Sequence, residues 1–208
     1  MINIIKNNLK LTLPNIFIIF DTEYTAWEGS QERNWSGKNE YMELVQVGAL
    51  KVEKKKDCLD IKEVFSIYTK PEINPILSQY FIDLTNITQE TVDTQGVSFS
   101  KSMQLFYKFC KDNHGNKLPL YSYGNDYGII KYNLDLKKTP IRSKFRTWEP
   151  FFYDIREIFK DYVDVSKYIS GTLYKAFNIK PNSKIEIHNS LWDSLSIFLS
   201  LNKIYLVS

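Results

Sequence analysis

Cysteine is nearly missing from this chain: Cys58 and Cys110 are the only two in 208 residues. They fit no disulfide framework and no metal-ligand spacing, and such usage suits a reducing, cytoplasmic setting. Histidine is equally scarce, at two residues, His114 and His188. A dominant charge is absent as well. Lys and Arg number 27 against 24 Asp and Glu, a formal charge of +3. So mild an excess does not establish a nucleic-acid partner, but it allows a locally basic groove. Long apolar runs are lacking too. The opening MINIIKNNLKLTLPNIFIIFD has no uninterrupted apolar stretch and no small-residue cleavage pattern, so it reads neither as a signal peptide nor as a membrane span. No repeat, low-complexity tract or linker divides the chain. A single domain over residues 1–208 is expected, with 1–14 as a short N-terminal extension.

What is present is ordinary for a globular protein, 43% hydrophobic and 25% charged, with a high aromatic share of 15%. Strands are predicted at Ile16–Phe20, Leu44–Val52 and Val64–Tyr68, the last two joined by a charged hairpin tip in Lys51–Asp57. Short helices are predicted at Pro75–Ile82 and Thr88–Val92. A longer one is predicted at Ser98–Lys111, where Phe99, Met103, Phe106 and Cys110 recur at helical spacing behind a Ser98 cap. A buried strand at Leu118–Ser122 precedes a helix at Asp126–Leu134. Helices at Tyr153–Tyr162, Ser166–Asn178 and Ser190–Leu201 follow, with Ile185–Ile187 leading into the last. Strands first and strand–helix alternation afterwards indicate an α/β domain with a mixed sheet.

The segment Phe17–Thr25, FIIFDTEYT, carries the chemistry. Side chains two apart on a strand share a face, so Asp21 and Glu23 project together from the end of a buried strand. Adjacent carboxylates repel unless a cation lies between them, and a hard divalent ion such as Mg²⁺ or Mn²⁺ suits oxygen ligands. A solvated strand end explains the pair equally well at this point. The same logic recurs where Leu118–Tyr123 runs into Gly124-Asn125-Asp126, although an Asp there also serves as a simple helix cap. Near the C-terminus His188 falls on a loop and Asp193 on the first turn of a helix; a surface histidine is the plain alternative.

D-x-E, then Asp, then H-x4-D in that order resembles the DEDDh exonucleases of the RNase H-like superfamily. Asp21, Glu23 and Thr25 match the first motif, Asp126 the second, His188 and Asp193 the third. Glu43–Ala49 is similar to the family's E-I-I-E-I-G-A strand, and Leu84–Gln89 with Val92-Asp93 to its L-T-G-I-T-Q…V-D segment. Tyr121-Ser-Tyr-Gly-Asn-Asp126 resembles the S-W-G-x-x-D form of the branch that holds the histone-mRNA 3′ exonuclease and the sporulation-pathway inhibitor. The likeness runs from about Ile16 to Leu201. Asn86 stands where glycine is usual, Trp192 precedes the last Asp, and the 27–41 loop is long and polar.

The resemblance implies a central mixed five-stranded sheet flanked by helices, and 3′–5′ hydrolysis of single-stranded RNA or short oligonucleotides to nucleoside 5′-monophosphates. It implies two divalent cations, Mg²⁺ or Mn²⁺, held by Asp21, Glu23, Asp126 and Asp193, with His188 as the proton acceptor. Backbone near Glu23–Thr25 would meet the terminal 3′-hydroxyl. Tyr24 and Trp27 would stack on bases, as would Trp35 unless it only anchors its loop, and Asn125 would contact substrate. Six basic residues between Lys131 and Arg146, including Lys137, Lys138 and Arg142, are proposed to track phosphates; an ordinary solvated loop is the competing explanation. The expected partner is a nucleic acid 3′ end, with no membrane, and a homodimer is among the expectations because several relatives are dimers. The alternatives are a proofreading-like 3′–5′ exodeoxyribonuclease and a non-catalytic module that binds nucleic acid or protein.

Overall fold

The computed structural model describes residues 13–181 and 188–206. Its centre is β1 (Ile16–Tyr24), in which every residue from Phe17 to Glu23 is buried. The strand is apolar on both faces because both are covered. Ile18 and Phe20 pack into one core with Phe99, Met103 and Phe106. Phe17 and Ile19 pack into a second with Ile197, Leu201 and Ile204.

β2 (Leu44–Lys54) pairs antiparallel with β1 and β3 (Leu59–Tyr68) antiparallel with β2. The turn between β2 and β3 overlaps the expected charged tip and runs one residue past it, closed by Lys55 N–H donating to the Cys58 carbonyl at 2.9 Å. Three helices follow, α1 (Gln79–Thr85), α2 (Gln89–Gln95) and α3 (Phe99–Phe109), capped by Ser78, Thr88 and Ser98. Asn86 ends α1 at φ 58°, a left-handed conformation that asparagine tolerates almost as glycine does. The family's usual glycine is therefore dispensable here.

β4 (Leu120–Ser122) joins β1 in parallel, and α4 (Asp126–Lys137) leaves from just beyond it. α5 (Arg142–Arg146) leads to β5 (Phe152–Asp154), which pairs in parallel with β4. The mixed sheet thus has five strands in the order β3-β2-β1-β4-β5. The helix expected over Tyr153–Tyr162 is corrected: its first residues form β5, and α6 covers only Arg156–Phe159. Tyr153 is drawn into the sheet by stacking on Tyr121, with ring centroids 5.2 Å apart. The helix expected at Ser166–Asn178 is instead two 3₁₀ stretches, Val165–Lys167 and Ser170–Phe177, separated by extended backbone at Tyr168 and Ile169. α7 (Ser190–Tyr205) closes the fold. The expected lead-in at Ile185–Ile187 lies outside the described residues. Among the described residues no helix is long and apolar enough to cross a membrane.

One glycine sets the distance between α7 and the sheet. A Cβ on Gly48 would come within 2.2 Å of the Leu191 nitrogen and 2.3 Å of the Ser190 carbonyl carbon. Gly48 lies opposite Asp21 in the β1–β2 register. The Gln46 side chain accepts from Ser190 N–H at 3.1 Å, and the Ser194 hydroxyl donates to the Gly48 carbonyl at 3.0 Å. The first turn of α7 is thereby held beside the acidic end of β1. G48A should lower the unfolding free energy by roughly 3 kcal/mol, because backbone on both sides must move. Urea denaturation checks this; a midpoint unchanged from wild type would contradict the close approach.

Candidate active site

Asp21 and Glu23 sit two apart on β1, Asp126 is the first residue of α4, and Asp193 lies in the first turn of α7. All four are buried, with relative exposures of 6, 9, 9 and 2% respectively. Among the described residues no lysine or arginine makes an ion pair with any of them. Four like charges in so dry a place raise one another's pKa. Burial, then the charges of Asp126, Asp193 and Glu23, push Asp21 well above the usual carboxylate range. Glu23 is raised in the same way by burial and by Asp193 and Asp126. Burial lifts Asp126 to about 6 and Asp193 to about 7.

Polar neighbours fix the carboxylates without neutralising them. Asp126 Oδ1 accepts from Thr22 N–H at 3.0 Å and from the Thr22 hydroxyl at 2.7 Å. The Ser170 hydroxyl donates to Asp193 Oδ2 at 3.0 Å. Asp193 Oδ1 is buried with no hydrogen-bond partner among the described residues, and a Cβ on Gly171 would come within 2.3 Å of it. Trp192 donates from its indole to the Gly171 carbonyl at 3.2 Å, so it ties α7 to the segment that carries Ser170. His188, half-buried at φ 64°, has its pKa lowered by burial. Ligand atoms of Glu23, His188 and Asp193 lie within 4.8 Å of one another. An orphaned buried carboxylate oxygen, four uncompensated acids and an all-oxygen-plus-imidazole donor set fit a hard divalent cation.

The acids open into a cleft of about 820 Å³, whose lining includes Tyr24, Trp35, Tyr80, Asn125 and His188. Tyr24 packs on Trp35 at 5.4 Å between ring centroids. The Tyr24 phenol is pushed up to about 12 by burial and then by Asp126, Glu23 and Asp21, so the ring is neutral. The Trp35 indole donates to the Thr25 carbonyl at 3.0 Å, which makes Trp35 both a loop anchor and part of the cleft.

Other expected contacts lie elsewhere. Thr25 is buried; its hydroxyl donates to the Tyr41 carbonyl and accepts from Glu43 N–H, and neither it nor Trp27 lines the cleft. Three residues of the basic strip are paired within the protein. The Lys137 side chain, 7% exposed, lies 2.8 Å from Glu43, whose carboxylate also accepts the N–H groups of Glu72, Ile73 and Asn74. Arg142 pairs with Asp135 at 2.5 Å and Lys131 with Glu149 at 2.8 Å. Lys138 ends α4 at φ 47°, and none of these residues lines the cleft. The strip looked unneutralised because its acidic partners Glu43, Glu72 and Glu149 come from outside it. Thr22, Ser170 and Arg156, which meet at this site, went unassigned in the sequence. Only Thr22, inside the D-x-E step, carried a local signal.

Residues 18–198 match the RNase_T family, described as Exonuclease. Comparison with curated proteins finds no match. Among solved structures, the nuclease domain of 3′hExo, a DEDDh family member bound to rAMP, is 21% identical, with a TM-score of 0.70 and 91% of each chain covered. A 3′-exonuclease solved for 3′-end recognition of the histone mRNA stem-loop is 18% identical, with a TM-score of 0.71, covering 93% of this chain and 82% of that one. E. coli Exonuclease I in complex with a dT13 oligonucleotide is 14% identical, with a TM-score of 0.61, covering 92% of this chain and 41% of that one. At these identities the likeness carries the fold, which is the RNase H-like exonuclease sheet. With the family matched across nearly the whole described fold, the chain belongs to the RNase_T family of exonucleases.

Proposed function

We propose that this exonuclease degrades single-stranded RNA or short oligonucleotides from the 3′ end, releasing nucleoside 5′-monophosphates with the help of two Mg²⁺ or Mn²⁺ ions. The observation that carries this reading is the set of four buried carboxylates at the floor of an open cleft, with no lysine or arginine paired to them among the described residues. Support for RNA over DNA comes from the Tyr121–Asp126 motif. It also comes from the fuller mutual coverage with the two structures whose ligands are rAMP and histone mRNA.

Asp21, Glu23, Asp126 and Asp193 would hold the cations. Bound there, they would polarise the scissile phosphate and offset charge on the attacking and leaving oxygens. Thr22 and Ser170 keep two of the carboxylates in place. His188, with a pKa lowered by burial, is neutral at physiological pH and able to accept a proton from the attacking water. Tyr24 and Trp35 offer neutral aromatic faces to the terminal base.

D21N should abolish metal-dependent digestion of an end-labelled oligonucleotide, and undiminished digestion would place the metal site elsewhere. H188A should reduce kcat by roughly 10²-fold or more while Mn²⁺ affinity, followed by titration calorimetry, stays close to wild type. A wild-type rate and pH profile in that variant would remove His188 from the reaction. Side-by-side digestion of RNA and DNA of one sequence decides the sugar. Equal or DNA-favoured rates would overturn the RNA preference.

The acids also set a pH dependence. Their folded-state pKa values, about 6 for Asp126 and about 7 for Asp193, lie above the roughly 3.9 of an unfolded aspartate. The folded protein therefore binds protons that the unfolded chain has released, and metal-free stability falls as pH rises from about 4 to about 7. In EDTA, melting should occur at a higher temperature at pH 5.5 than at pH 7.5, with both values about as stated. Saturating Mn²⁺ at the higher pH should raise Tm by roughly 5–10 °C. A metal-free melting temperature that climbs with pH, unmoved by Mn²⁺, would contradict the uncompensated cluster.

A further inference from the structure

Two divalent cations would balance the four carboxylates, and a single strand would bring further phosphates past them that those cations do not meet. Among the described residues lining the cleft, Arg156 is the only lysine or arginine. Its guanidinium is held rather than loose. Nε donates to Asp154 Oδ1 at 3.1 Å and Oδ2 at 2.9 Å, and Nη2 donates to Oδ2 at 2.6 Å. Asp154 is itself fixed by the N–H groups of Gly124 at 3.2 Å and Arg156 at 3.0 Å. The guanidinium carbon lies 6.0 Å from the Tyr123 ring centroid, and the Tyr123 hydroxyl donates to the Val165 carbonyl at 3.0 Å. Nη1 has no hydrogen-bond partner among the described residues, and the side chain is 45% exposed.

Gly124 brings this group to the reaction centre. Its φ is +114°, and a Cβ built on it would lie 3.7–3.9 Å from the guanidinium. The arginine therefore rests on the turn that delivers Asn125 and Asp126. The four acids, with their cations, account for the scissile phosphate, and Tyr24 and Trp35 offer a seat to the terminal base. Arg156 is left as a cation for a phosphate that is not being cleaved.

Resting on the exonuclease reading, we propose that Arg156 binds the first phosphodiester on the 5′ side of the scissile one, with Nη1 and the free edge of Nη2 as donors. Asp154 and Tyr123 pre-orient the planar fork, so little side-chain freedom is lost on binding. The consequence is a preference for substrates with at least two phosphodiester links over a single ester.

The test compares an oligonucleotide with the p-nitrophenyl ester of a nucleoside 5′-monophosphate, which has no second phosphodiester, in Mn²⁺. For the oligonucleotide, R156A should raise KM about tenfold with kcat within about twofold of wild type. Kinetics on the ester should stay within about twofold in both parameters. The slope of log(kcat/KM) against log salt for the oligonucleotide should become shallower by about 0.7, the signature of one lost phosphate contact on a single strand. R156K, which keeps the charge but loses the planar fork, should recover only part of the KM. Equal losses on both substrates, an unchanged oligonucleotide KM, or an unchanged salt slope would overturn the assignment. Wild-type protein that leaves both substrates intact would overturn the exonuclease reading itself, and this inference with it.

Discussion

Mutual repulsion among Asp21, Glu23, Asp126 and Asp193 is the constraint around which the molecule is organised. Each is almost fully buried, each has a raised pKa, and no lysine or arginine among the described residues pairs with them. Such a cluster persists in a folded protein only if the surrounding structure over-determines it. β1 is buried on both faces by two separate apolar cores. That burial anchors the strand end where Asp21 and Glu23 emerge. Gly48 lets the first turn of α7 touch the sheet opposite Asp21, which delivers Asp193. Thr22 grips Asp126 with two donors.

Polar groups at the strand ends next to the cleft are held within the protein. Glu43, wholly buried, is held by three consecutive backbone N–H groups and by Lys137. Thr25 ties β1 to the segment before β2 through Tyr41 and Glu43. These contacts, with the Trp35 indole on the Thr25 carbonyl, fix the end of β1 and the 27–41 loop beside the site. Beside this site the guanidinium of Arg156, braced by Asp154, lines the same cleft.

Much of this was legible in the residues. Period-two alternation placed Asp21 and Glu23 together, and helical spacing in Phe99, Met103, Phe106 and Cys110 identified a core face whose four residues are fully buried. Asp126 and Asp193 were legible as acids at helix starts. β5 was not, because three residues are too few to show alternation and its aromatic Tyr153 is half-exposed. At Ser170–Phe177 the apolar spacing over eight residues suits an α-helix and a 3₁₀ helix alike, so the sequence alone does not separate them. The pairing within the basic strip was not legible for a different reason. Charge balance is three-dimensional, and the acids that neutralise Lys131 and Lys137 are distant in sequence. Arg156 was silent for the converse reason, since its position over Gly124 exists only in the fold.

The family, the fold and the class of reaction follow from the match over residues 18–198 and from the sheet. The further claim, that these four acids are the seat of the divalent cations, is the one on which the proposed chemistry stands. Anomalous diffraction from crystals soaked in Mn²⁺ with a nucleoside 5′-monophosphate tests it most directly. The account predicts two peaks among the carboxylates of Asp21, Glu23, Asp126 and Asp193. Ordered nucleotide in the cleft with no anomalous peak beside those carboxylates would contradict it.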